Sequence, residues 1–242
     1  MRRLVLVLLS LIFTASAFAQ QMPRLTWLRY YQAAAGKDGD LLWLVNDSLK
    51  PVLDKLVADK KALAWGVAVP LTHTGEPWTH IVFVGLADWA AAEELAKAIA
   101  PSESRFAAGP VQPGSVRDVI LRNIAHSEVP PAAKPKYIGI DTYVVKPGRS
   151  GDVDALFNEW TKPLFTAVAA KGKFGPWGFS TQDMRGDYTH MVWYFMSDLT
   201  ALDEHDAALM AIDPVKLRGY DVRLRDATEP EKHRMQILRV VQ

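Results

Sequence analysis

Apolar residues recur at alternating gaps of three and four through Leu42, Val45, Leu49, Val52 and Leu56. That spacing lays one apolar stripe along a helix. Upstream, residues 25–32 are rich in aromatic and branched side chains and predict a strand. Gly39-Asp40 separates the two elements, with Asp40 placed to cap the helix. Downstream, residues 64–70 and 80–85 predict two antiparallel strands joined through the polar turn 72–76. Asp88 then introduces a second helix over 89–99, and residues 116–123 supply a closing strand.

The same pattern follows a second time. Residues 137–145 predict a strand, and Gly151-Asp152 precedes an apolar stripe of Val153, Leu156, Phe157, Trp160 and Leu164. Strands at 176–182 and 190–196 flank a turn at 183–187, Asp198 introduces a helix over 199–212, and residues 233–241 close the unit. One offset of 112 joins Tyr31 to Tyr143, Gly39-Asp40 to Gly151-Asp152, Lys50-Pro51 to Lys162-Pro163 and Trp65-Gly66 to Trp177-Gly178. Thr79-His80 and Asp88 recur at 110 as Thr189-His190 and Asp198, and Ile120-Leu121-Arg122 recurs at 117 as Ile237-Leu238-Arg239. Shared offsets mark an internal repeat, with length changes falling between the landmarks. Pro51 and Pro163 sit well inside their helices and predict a bend at the same place in both copies.

Each copy reads strand, helix, strand, strand, helix, strand, the ferredoxin-like order. Such a unit carries helices on one sheet face only, so the other needs a cover, and a second unit provides it. The strands beginning at His80 and His190 are apolar on both faces, as doubly covered strands are. Their pattern leaves open which face lines an interior. Between the copies, residues 126–136 (HSEVPPAAKPK) contain three prolines and no apolar period, which predicts a stiff linker. The units are therefore 20–125 and 137–242.

The βαββαβ unit, the Trp-Gly opening its second strand and the Thr-His opening its third resemble the dimeric α+β-barrel superfamily. That superfamily includes antibiotic-biosynthesis-type monooxygenases, EthD-like and NIPSNAP-like proteins, chlorite dismutases and dye-decolourising peroxidases. The resemblance covers nearly the whole chain after residue 19 and selects no single family. It implies an α+β fold in which two units pair their sheets into a barrel, here within one polypeptide. It also implies a ligand pocket often lying between sheet and helices.

The N-terminus changes the picture of where the protein works. Arg2-Arg3, the apolar run 4–13 and small residues ending Ala17-Phe18-Ala19 predict a cleaved secretory signal over 1–19, hence a periplasmic or secreted protein. A membrane anchor is the competing reading, but the run is about half of the ~20 residues a span needs. No later stretch is long and apolar enough to span. The formal charge is +1, falling to −1 without Arg2 and Arg3, so nothing favours nucleic acid as a partner. Cysteine is absent, which removes disulfides, a lipoprotein anchor, thiolate metal sites and cysteine nucleophiles.

Candidate chemistry centres on matched residues. His80 and His190 form a pseudo-symmetric pair able to serve as metal or haem ligands or proton carriers. The competing role is a structural histidine that fixes the hairpin. On the first strand Trp27, Arg29 and Tyr31 share a face, matched by Gly139, Asp141 and Tyr143. A charge in a covered sheet needs a partner, so Arg29 is expected to pair with Asp141 across the pseudo-twofold. Alternatively Arg29 receives an anion, with Tyr31 and Tyr143 as hydroxyl donors. Trp65 and Trp177, each before a glycine, are expected to be core anchors beside a packing gap. The run Asp203-Glu204-His205-Asp206 reads as a solvated helix face.

No phosphate loop, dinucleotide fingerprint, HExxH or G-x-S-x-G motif occurs, and His73, His126, His205 and His233 lack ligand spacing. The expectation is an exported protein binding a small, largely apolar molecule, with His80, His190, Tyr31, Tyr143 and Arg29 as ligand-binding candidates. A cofactor-poor monooxygenase or haem-handling enzyme is the alternative implied by the resemblance, and a structural or interaction protein with a solid core is the third. No motif specifies haem or any other cofactor, and a homo-oligomer is left open.

Overall fold

A computed structural model of the chain describes residues 23–72, 77–127, 134–182 and 187–242. The leader-like segment 1–19 lies outside these residues, as do the linker core 128–133 and most of both hairpin turns.

The first unit runs β1 (Leu25–Tyr31), α1 (Asp38–Leu44), a π turn (Val45–Leu49), α2 (Lys50–Ala58), β2 (Ala62–Pro70), β3 (His80–Leu86), α3 (Trp89–Ala108) and β4 (Arg117–His126). The second runs β5 (Tyr137–Tyr143), α4 (Ser150–Leu156), a π turn (Phe157–Thr161), α5 (Lys162–Ala169), β6 (Phe174–Gln182), β7 (His190–Met196), α6 (Thr200–Met210), α7 (Pro214–Ala227), a 3-10 turn and β8 (Arg234–Val240). All pairings are antiparallel, and the strands close in the order β1-β3-β2-β8-β5-β7-β6-β4.

Closure explains the duplication. Each unit alone is a four-stranded sheet with β2 and β4, or β6 and β8, at its edges. The edges meet crosswise, β4 on β6 over residues 121–126 and β2 on β8 over residues 68–70, which closes the sheet on itself. His126 is still on β4, opposite Gly178, so the linker starts one residue later than its composition suggests.

The two faces of the sheet are now distinguishable. Leu28, Tyr30, Ile81, Ile138, Ile140 and Met191 belong to the barrel interior. Trp27, Tyr31, Val82 and Val84 face the helices of the first unit, and Trp177, Val192 and Tyr194 those of the second. Both faces are apolar because both are covered.

Several local differences from the pattern have physical causes. The first helix starts at Asp38, and Asp40 takes a salt bridge from Lys37 at 2.8 Å instead of capping. At Pro51 and Pro163 a proline ring should crowd the carbonyl four residues earlier. Those carbonyls, of Asp47 and Glu159, lie in the two π turns, where the widened turn accommodates the bend and the helices continue. Asp88 caps α3 by accepting from the Ala91 N–H at 2.9 Å, but α3 runs past Pro101 to Ala108 because Leu95, Ile99 and Phe106 keep the buried stripe. In the second unit the corresponding stretch breaks in two. Asp213 caps α7 through Val215 and Lys216, with Pro214 at its first turn. The break accounts for the longer offset of the last strand.

Candidate functional site

The Thr-His pairs are built identically in both units. Thr79 Oγ1 accepts the Ala33 N–H at 2.9 Å and lies 2.8 Å from His80 Nδ1. Thr189 Oγ1 accepts the Val145 N–H at 2.8 Å and lies 2.9 Å from His190 Nδ1. His80 is the cross-strand partner of Tyr31, and His190 of Tyr143. Each threonine hydroxyl thus ties the start of the third strand to the end of the first, and the neighbouring imidazole braces that hydroxyl beneath the helices.

Burial lowers the pKa of both histidines, against a smaller raising effect of Asp38 on His80 and of Asp154 on His190. His190 Nε2 and Asp154 Oδ1 stand 3.9 Å apart, and neither has a hydrogen-bond partner. A base whose folded pKa is depressed binds its proton more readily in the unfolded chain, so stability is retained above the ordinary histidine pKa of ~6.5 and falls as pH drops below it. The limiting slope is about 1.4 kcal/mol per pH unit for each histidine. Urea midpoints are therefore expected to fall as the pH drops below about 6.5. His190→Asn should remove part of that fall, and an unchanged pH profile in the variant would exclude the histidine as its source.

The expected pairing of Arg29 with Asp141 across the pseudo-twofold is not formed. Arg29, 6% exposed, donates from Nε and Nη2 to Asp118 at 2.7 and 2.6 Å and from Nη2 to Glu103 at 3.1 Å. Asp118 is its cross-strand neighbour on β4, and Glu103 comes from α3. Asp141 instead meets His233 Nε2 at 3.3 Å, and His233 stacks on Tyr143 at 4.6 Å. Each group finds its partner on the helix side of its own sheet, with the barrel between them. Trp177 is a core anchor, 2% exposed. Trp65 is half-buried and donates to Asp54 at 2.9 Å. In the run at 203–206, Asp203 and Asp206 are exposed, whereas His205 is half-buried against Phe165 and Phe174.

Two cavities occupy the barrel axis. At one end, a chamber of about 150 Å³ is lined by Ile81, Phe83, Ile138, Met191, Trp193 and Phe195, among other apolar side chains. At the other, a mouth of about 450 Å³ is lined by Tyr30, Trp78, Arg117, Tyr188, Lys232 and Arg234, with Ile140 shared between the two. Trp78 and Tyr188 stand at the offset of 110, and Arg117 and Arg234 at 117. Matched positions from both units therefore face one another, and the mouth straddles the pseudo-twofold.

His80, His190, Tyr31, Tyr143 and Arg29 line neither cavity. They divide into one cluster per unit. The sequence signal for the mouth residues lies in the same offsets, carried outward from Ile120-Leu121-Arg122 and Thr79-His80. No group of residues able to hold a metal ion, and no helix long and apolar enough to cross a membrane, occurs among the described residues.

No family model matches the chain, and no curated protein matches it. Solved structures do. A candidate monooxygenase from Fusobacterium nucleatum superimposes with a TM-score of 0.64 at 12% identity, covering 91% of this chain and 93% of that one. A candidate monooxygenase from Lactobacillus acidophilus gives 0.61 at 12% identity, covering 91% and 94%. A chlorite dismutase variant from Candidatus Nitrospira defluvii gives 0.55 at 10% identity, covering 93% of each chain. These likenesses show a shared fold, a closed eight-stranded antiparallel α+β barrel, here with both units in one polypeptide.

Haem use would require a slot for the macrocycle and an axial ligand. Between sheet and helices of the second unit, the gap beside Tyr143, Phe157, Phe179 and Tyr220 measures about 10 Å³, against the ~300–1,000 Å³ of pockets for larger ligands. Phe165, Phe174 and Trp177 pack the same layer. Haem does not fit there, and no histidine lines the mouth among the described residues.

Proposed function

We propose that the protein is an exported binding protein that holds a small, largely apolar molecule inside its tandem barrel. The chamber of about 150 Å³ carries this reading. A cavity of that order lined by aliphatic and aromatic side chains has room for a molecule the size of benzene. It lies where two sheets face each other, and a solid-core protein would have no such space. The export component rests on the leader-like residues 1–19. An enzyme of the monooxygenase kind is the less favoured reading, because the proton-carrier candidates His80 and His190 stand outside both cavities.

Titration with benzene, followed by methyl NMR of Met191 and Ile81, tests the proposal. Saturable shifts of these methyls are expected. Ile138→Phe should abolish them by filling the chamber, at a stability cost of about 1–3 kcal/mol, and Leu28→Phe should do so from the opposite wall. Shifts that never saturate, or that persist in both folded variants, would refute chamber binding.

A further inference from the structure

We propose that the barrel mouth is a second ligand site, for a small organic carboxylate with an aromatic body. The inference does not depend on occupancy of the apolar chamber. Its first support is an unbalanced charge. Among the described residues, three cations, Arg117, Lys232 and Arg234, line the mouth, against the single acid Asp187. Asp187 is engaged by Arg117, and Lys232 pairs with Glu229 at 2.6 Å. Arg234 has no carboxylate partner among the described residues. Its Nη1 donates to the carbonyl oxygens of Glu231 at 2.6 Å and His233 at 2.8 Å. Those bonds anchor the guanidinium and leave the Nε and Nη2 edge, whose two parallel donors match a carboxylate.

The walls give the second support. Tyr30, Trp78 and Tyr188 are each at most 6% exposed although they border a cavity of about 450 Å³. Tyr30 and Trp78 meet edge to face at 5.2 Å, and Arg117 lies 4.5 Å over the Tyr30 ring. These contacts fix the aromatic surfaces before any ligand arrives, which reduces the ordering cost of binding. The Tyr30 and Tyr188 hydroxyls share a buried hydrogen bond of 3.1 Å. Burial raises the Tyr188 pKa well above the ordinary phenol value, so its proton stays in place as a donor. A ligand with a flat apolar body and one carboxylate would use both the walls and the free guanidinium edge. Inorganic phosphate would use only the second.

Calorimetric titration of the full chain with benzoate, benzamide and inorganic phosphate tests this. Benzoate is expected to bind saturably and to weaken as salt is added. Benzamide and phosphate should each bind at least about tenfold more weakly. Arg234→Gln, an exposed position that should fold normally, is expected to weaken benzoate by about tenfold or more, as loss of a charged hydrogen bond does. Arg234→Lys should restore part of that loss. Ile138→Phe should leave benzoate binding intact, which separates the mouth from the chamber. The proposal is overturned if benzoate gives no binding heat, if Arg234→Gln leaves its affinity unchanged, or if benzamide or phosphate binds as well. Loss of benzoate binding in Ile138→Phe alone would place the molecule in the chamber and likewise overturn it.

Discussion

Gly139→Val is expected to destabilise the protein by about 3 kcal/mol or more, at the upper end of what overpacking costs. Gly139 on β5 faces Tyr194 on β7, and a Cβ at Gly139 would lie 2.0 Å from Tyr194 Cζ. The ring cannot withdraw, because it stacks on Phe174 at 4.7 Å and meets Phe165 edge-on at 5.2 Å. In the first unit the same pair of positions holds Trp27 opposite Val84. The large and small partners are exchanged between strands, with the layer beneath the helices filled in both. That exchange predicts a double-variant result. Gly139→Trp with Tyr194→Val should be more stable than the sum of the single changes allows, with a coupling on the order of 1–2 kcal/mol. Urea unfolding of the four proteins measures it. A Gly139→Val midpoint close to that of the parent would show that the Tyr194 ring is not seated over Gly139.

Residues 20–127 expressed alone are expected to form a dimer or to precipitate, and not to give a stable folded monomer. Separation strips β2 and β4 of β8 and β6, which exposes two strand edges at once. It also uncovers Leu28, Ile81 and Leu121, which are at most 4% exposed in the whole chain. Because β4 normally pairs with β6, the counterpart of β2, a second copy can offer its own β2 to the vacant β4. Light scattering after size exclusion reads the mass, and a dimer's unfolding midpoint should rise with concentration. A folded monomer at low concentration would mean that the sheets do not depend on each other.

The fold was legible because it was written twice. The gaps from Leu42 to Leu56 and the landmarks at 112 specified element order and the pairing of units. Trp-Gly became intelligible only through register. Gly66 faces Phe83 and Gly178 faces Trp193, so each glycine gives its space to an aromatic ring that walls the chamber. Single-residue patterns carry no information on such cross-strand partners. The same limit hid the partners of Arg29. Strand alternation placed it beside Tyr31, but Asp118 was brought to it by pairing with β4, and Glu103 by extension of α3 past Pro101. α7 had a signal of its own in Asp213-Pro214, a capping residue followed by proline, but its weakly apolar turns masked the helix period. The candidate histidines drew attention by recurring, and recurrence here marks the hairpin latch that both copies need.

The mouth on the pseudo-twofold carries a consequence for how such a barrel can change. When two identical chains form the barrel, every substitution on the axis appears twice, and the lining remains a palindrome. In this chain the copies vary one at a time. Tyr30 stands opposite Thr142 and Trp78 opposite Tyr188, while Arg117 and Arg234 are still alike. With both halves in one polypeptide, a lining that two identical chains would have to share can be edited position by position, and an asymmetric molecule can be accommodated without loss of the closed barrel.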